Sequence, residues 1–202
     1  MSDSLLDRAR RRLRRDYCKW RYANAVRKIV QTPPLSRGNL PFMLLSMVHT
    51  RDVLSYLVAV KSFARQANPE SIVVVCDPTI SDADRALLRE QIPHIELRDA
   101  ETFAHPGVPR GGCWERLQAI AHYSPHHYVV QLDADTVTTG PVDSVCAAIR
   151  SRAGFVLGEE RGQRLLTLAE SSARAAPLLA PNAHVQTHSE AALASIGLPQ
   201  ER

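Results

Sequence analysis

The chain has 202 residues, 45% hydrophobic and 23% charged, which is ordinary for a globular protein and long enough for one domain with a full core. Its net charge of +4 hides an asymmetry, because residues 1–30 hold ten Arg or Lys against three Asp and the rest of the chain is net acidic. Cys18, Cys76, Cys113 and Cys146 form no CxxC pair or zinc-like grouping, no apolar leader precedes a cleavage site, and no apolar run nears the roughly 20 residues that span a bilayer, so a reduced, cytoplasmic protein is expected, at most peripheral on the inner face of a membrane.

Residues 5–30 place Leu5, Leu6, Leu13, Tyr17, Trp20, Val26 and Ile29 at loosely helical spacing among arginines. This predicts a basic amphipathic helical arm over residues 1–30. Such a helix suits an anionic membrane surface, where each basic residue contributes on the order of 1 kcal/mol. The alternatives are a solvated helix lying on the domain, or a frayed arm. No nucleic-acid motif follows, so nucleic acid is not an expected partner. Residues 31–41 (QTPPLSRGNLP) read as a linker, since Pro33, Pro34, Gly38 and Pro41 leave no room for regular structure.

From residue 42 the chain alternates. Phe42–Val48 reads as a buried strand, Val53–Phe63 as a helix and Ser71–Cys76 as a second buried strand. Ser81 opens a helix, with Asp84 completing a capping-box pattern. Ile95–Leu97 is a short strand, Glu115–Tyr123 a helix, Tyr128–Leu132 a strand, Val142–Ile149 a helix and Phe155–Leu157 a strand. Continuous apolar strands separated by helices predict an α/β fold, a mostly parallel sheet covered on both faces, over residues 42–202. Ligands of such sheets bind beyond the carboxyl ends of the strands.

One strand ends there in two carboxylates, in the stretch YVVQLDADTVTTGP from Tyr128 to Pro141. At an extended strand end, Asp133 and Asp135 project to the same side. In a half-buried crevice they would repel each other unless a divalent cation lay between them, and all-oxygen ligands favour Mg²⁺ or Mn²⁺ bound to a phosphorylated substrate. The bland alternative is an Asp-rich turn capping the next helix.

The apolar strand, D-x-D, small apolar strand and Pro together resemble the nucleotide-sugar-dependent glycosyltransferases of GT-A fold, and most closely those of family eight. The likeness runs from Pro41 to about Gly158. It includes His49-Thr50-Arg51-Asp52 after the first strand, Cys76-Asp77 after the second, and Arg116 in CWERLQA before the motif. The resemblance implies a GT-A-like (Rossmann-like) sheet and transfer of a sugar from a nucleoside diphosphate, UDP as the first guess. It gives Asp133 the ribose and the metal, and Asp135 the metal directly. His49, Thr50 and Asp77 fall at the nucleoside, and Arg116 faces the donor. The acceptor, whether glycan, lipid-linked or protein, is left open. The Pro109-Arg110-Gly111-Gly112 turn would let backbone approach the donor sugar, or is a plain loop.

D-A-D-T-V also matches the signature of haloacid-dehalogenase phosphatases. Those place it on their first strand and need a downstream Lys and acidic pair, whereas here three strands precede it and no Lys follows Arg116. The family usually draws a third metal ligand from its acceptor-binding half. Only residues 159–202 remain for that half here, with His184 and His188 at i, i+4 as candidates and Glu159 and Glu160 as candidates to orient an acceptor hydroxyl. The shortness of that half makes a truncated, non-catalytic nucleotide-sugar-binding module the alternative function.

Overall fold

The computed structural model describes residues 5–155. The chain divides into two compact units, residues 1–153 and 154–202, and every element below belongs to the first. Helix α1 spans Leu5–Val26 and runs into a 3₁₀ segment, Arg27–Gln31. There follow β1 (Leu40–Val48), α2 (Val53–Ala67), β2 (Pro69–Cys76), α3 (Asp82–Gln91), β3 (Ile95–Asp99), α4 (Trp114–Tyr123), β4 (Val129–Gln131) and α5 (Asp143–Ser151). The four strands form one all-parallel sheet in the order β3-β2-β1-β4. Parallel pairing and covered faces are what the continuous apolar runs require.

The two faces of the sheet are separate cores, set by alternation along β1. Phe42, Leu44 and Val48 pack with Ile72, Val74 and Cys76 of β2 under α2, α3 and α5, through Tyr56, Leu57, Val60, Leu88, Val145 and Ile149. Leu45 and Val75 face the other way, toward Ala100, Phe103 and Ala119. α3 begins as its sequence demands. The Ser81 hydroxyl accepts from the Asp84 N–H and the Asp84 carboxylate accepts from the Ser81 N–H, satisfying two donors that a bare helix start would leave open.

Residues 31–41 are not a free linker. β1 starts at Leu40, so Pro41 lies inside it, at a bulge where the pairing with β2 shifts register between Leu40 and Met43. A bulge is where a strand tolerates a residue without an N–H. The segment before it is strapped to the body by backbone bonds from Leu35 to Gln91, Gly38 to Pro69 and Leu40 to Asn68, 2.9–3.0 Å long. A Cβ on Gly38 would sit 2.2 Å from the Asn68 carbonyl oxygen, so only glycine allows that approach. Asn68 itself caps α2 in the left-handed conformation, at φ 54°.

Lys61 closes the strap. Its side chain is buried, and its ammonium donates toward Thr32 Oγ1 (2.8 Å), the carbonyls of Thr32 (3.3 Å) and Pro33 (3.1 Å), and Gln91 Oε1 (2.5 Å). Burial first, then the nearby Arg65 charge, pushes this lysine below its ordinary pKa. The Gln91 amide in turn donates to the Val30 carbonyl at 3.2 Å. Phe155 is not in a strand, contrary to the expectation for 155–157, and the rest of that expected strand lies outside the described residues. Among the described residues, no helix is long and apolar enough to cross a membrane.

Replacing Lys61 with Met keeps the stem but leaves the buried Gln91 Oε1, and the part-buried Thr32 and Pro33 oxygens, without this donor. Urea unfolding should show a loss of about 1–3 kcal/mol, because an unmet buried acceptor costs more than the lost bond. An unchanged midpoint would mean that the strap contributes nothing to stability.

Candidate functional site

Three parallel strands deliver their following residues to one edge of the sheet. After β1 come His49 and a 3₁₀ turn, Thr50–Asp52, closed by the Asp52 N–H on the His49 carbonyl (2.9 Å). After β2 comes Asp77, whose N–H continues the ladder onto the Val48 carbonyl (3.0 Å). After β4, the Leu132 N–H reaches the Leu45 carbonyl (3.0 Å), and the Ser46 hydroxyl donates to the Leu132 carbonyl (2.7 Å). Asp133 is therefore fixed beside β1. Since β1 lies between β2 and β4, Asp77 and Asp133 start from strands two places apart, roughly 10 Å.

The β1–β2 side is a closed network. Asp77 Oδ1 accepts from the Thr79 N–H (2.9 Å) and hydroxyl (2.6 Å), and Oδ2 lies 3.1 Å from His49 Nδ1. The Thr50 hydroxyl meets the Thr79 carbonyl and the Asp84 carboxylate, the latter at 2.9 Å. Burial by itself would raise the Asp77 carboxyl, but the Thr79 hydrogen bonds and the His49 ring outweigh it and hold it below the usual carboxylate range. Asp84 is lowered in the same way: burial opposes, and bonds from Ser81 and Thr50 prevail.

The β4 side is more open. Arg116 stands in the first turn of α4, and its Nη1 lies 2.6 Å from Asp133 Oδ1, which also accepts from the Gln131 side-chain amide at 2.7 Å. The Asp133 side chain is 54% exposed. The segment is not extended. β4 ends at Gln131, and the Thr136 N–H and hydroxyl both return to the Asp133 carbonyl, making Ala134 and Asp135 the tip of a turn. The alternation rule for strands thus does not apply to Asp133 and Asp135. The expected small strand after them is irregular chain, held to α2 by the Thr138 N–H on the Ser62 hydroxyl (3.0 Å).

Among the described residues, Asp133 uses only Oδ1, and Asp135 is exposed with no hydrogen-bond or ion-pair partner. Three carboxylate oxygens thus remain for a hard cation, which commonly takes one or two carboxylates and completes its shell with water and phosphate. Among the described residues, no group of three or more His, Cys, Asp or Glu is arranged to hold a metal. His184, His188, Glu159 and Glu160 lie outside the described residues.

Glu115 is a residue that sequence reading passes over. It is 7% exposed although it opens a helix, and its Oε1 accepts from the Gly111 N–H at 2.7 Å. This pins a turn in which Gly111 and Gly112 take φ values of 84° and 67°, open to glycine and strained for other residues. Glu115 Oε2 and Arg116 Nε are both buried without a hydrogen-bond partner among the described residues. The signal in the sequence was the pair of glycines just before an acidic helix start.

A hollow of about 290 Å³, lined in part by Arg37, Pro41, Phe42, Ser71 and Tyr128, lies at the opposite, amino-terminal edge and shares no residue with these groups. No protein-family model matches the chain, and no curated protein matches it.

Because the Asp77 pKa is depressed on folding, its contribution is complete above the unfolded carboxylate value, about pH 4, and is lost as pH falls through the folded value. Asp77→Asn should therefore cost about 1–2 kcal/mol at neutral pH, with the deficit shrinking on acidification. Urea titrations at several pH values check this, and a deficit independent of pH contradicts it.

Proposed function

We propose that the chain is a metal-dependent glycosyltransferase of GT-A type, resembling family eight, that moves a sugar from a nucleoside diphosphate to an acceptor. One observation carries the reading. Arg116, Asp133 and Asp135 stand at the carboxyl edge of an all-parallel sheet, the same edge that carries the His49–Asp77 pair. That edge is where open α/β sheets bind their ligands.

Asp133 and Asp135 are the residues that would hold Mn²⁺ or Mg²⁺, and their oxygen donors suit either ion. When bound, the cation supplies Lewis-acid stabilisation of charge on the diphosphate. The protein's own groups account for the rest. Arg116 pairs with Asp133 and is positioned to exchange that carboxylate for a phosphate oxygen, a charge-assisted bond that strengthens as the leaving group gains charge. His49, Thr50 and Asp77 form a hydrogen-bonded wall for the nucleoside. Glu115 holds the Gly111-Gly112 turn, where backbone without side chains admits the donor sugar closely. The absence of a third metal-ligating side chain among the described residues favours one second reading, a nucleotide-sugar-binding module without turnover.

Thermal-shift measurements across nucleoside diphosphates and their sugars, with and without Mn²⁺, test the binding. Stabilisation by at least one donor should require the metal. Asp135→Asn should keep the melting temperature of the free protein and lower metal-dependent donor hydrolysis or transfer at least about 100-fold. Full turnover in that variant sinks the metal-holding role of Asp135. Metal-assisted binding with no turnover on any acceptor favours the module.

A further inference from the structure

Helix α1 meets the body near its C-terminal end. Val26 is buried, and the Tyr22 hydroxyl donates to Ser55 Oγ at 3.0 Å. Beyond it the chain follows α2 from Ser55 past Lys61 to Asn68, at the Tyr22, Thr32 and Leu40 contacts in turn. Traced backwards, α1 leaves the body at the first turn of α2, at the carboxyl edge of the sheet.

By helical periodicity Tyr22 and Val26 share the face turned to the body, and Leu13, Tyr17 and Trp20 share the opposite one at i, i+4 and i+7. All three point into solvent, with relative exposures of 72%, 57% and 63%. The Tyr17 and Trp20 rings stack with centroids 6.2 Å apart, and the Arg21 guanidinium lies 5.9 Å from the Tyr17 ring. The helical period sets Arg10, Arg14 and Arg21 along one border of this stripe, while Asp16 lies on the other, with Arg12 and Lys19 further round toward the Val26 face. A helix that packs on its own domain turns its apolar stripe inward. This one turns it outward, with a row of arginines along one flank.

We propose that α1 docks on an anionic lipid bilayer, with Leu13, Tyr17 and Trp20 inserted among the headgroups and the flanking basic residues on lipid phosphates. Charge complementarity selects this occupant. The helix carries eight basic and two acidic residues, so a second copy of the chain would bring like charges together. A nucleic acid would meet the charge and the aromatic rings but give Leu13 no apolar partner. An anionic bilayer offers negative charge and apolar depth at once. Docked so, α1 holds the carboxyl edge of the sheet close to the lipid surface. The proposal does not depend on the transferase reading.

The full chain is sedimented with vesicles of phosphatidylcholine alone and of equimolar phosphatidylcholine and phosphatidylserine, and Trp20 emission is followed in a Trp114→Phe background that leaves Trp20 as the sole tryptophan. Binding is expected to the anionic vesicles alone, weakened by salt and accompanied by a blue shift. Leu13→Ser with Trp20→Ser, which leaves net charge unchanged, should lower partitioning on the order of tenfold or more. Arg10→Gln with Arg14→Gln and Arg21→Gln should do likewise. The proposal is overturned if the serine variant binds vesicles as well as the parent does. A lowered melting temperature in that variant would place the stripe against the body and overturn it too. So would binding confined to a polyuridylate probe, or stripe-dependent dimers without lipid.

Discussion

Strand β1 is the constraint on which the rest of the structure depends. It is hydrogen-bonded on both sides, to β2 and to β4, and Leu44, Leu45 and Val48 are fully buried. A buried backbone must satisfy its N–H and C=O groups along both edges, which leaves the register no freedom. That register carries His49, Asp77 and Asp133 to the same rim. The Ser46 hydroxyl extends the control one step past the ladder by holding the Leu132 carbonyl, so the chain turns at Asp133 and not later.

The carboxylates at this rim differ by the company they keep. Asp77 and Asp84 are enclosed by hydroxyl and amide donors, their charge is settled within the fold, and they act as fixed structural anions. Asp133 shares one oxygen with Arg116 and Gln131, and Asp135 has no protein partner among the described residues. Unspent acceptor capacity beside a half-buried guanidinium is a different property from buried charge. Under the proposed function, that capacity would let the pair trade partners with an arriving phosphate.

The N-terminal segment divides into two structural parts at Val26. Downstream, Lys61 and Gln91 bind it to α2 and α3 through a cage of neutral oxygens, so what looks like a spacer is part of the domain. Upstream, α1 presents its aromatic stripe away from the body, and the one face it offers the domain is polar apart from Val26. The same helix is thus anchored at one end and amphipathic toward solvent along the rest.

Periodicity and composition were enough to reveal the α/β alternation, the parallel sheet, the capping box at Ser81 and the carboxylates after β4, because each follows from local spacing or a continuous apolar run. That the residues after β1, β2 and β4 share one rim follows from parallel strands alone; that His49 meets Asp77 and Arg116 meets Asp133 does not, since strand order is not written in any one segment. Spacing misjudged Pro41 and the Asp133–Thr136 turn, where a bulge and a carbonyl held from a neighbouring strand override the local pattern. The buried Glu115 and Lys61 could not be read at all, because their partners are fixed by packing between elements that are distant in the chain or by a backbone turn that only glycine adopts. The sequence by itself determined which elements form and which faces are apolar; tertiary structure alone decided which side chains meet, because hydrogen bonds across strands and helices depend on register that no local propensity encodes.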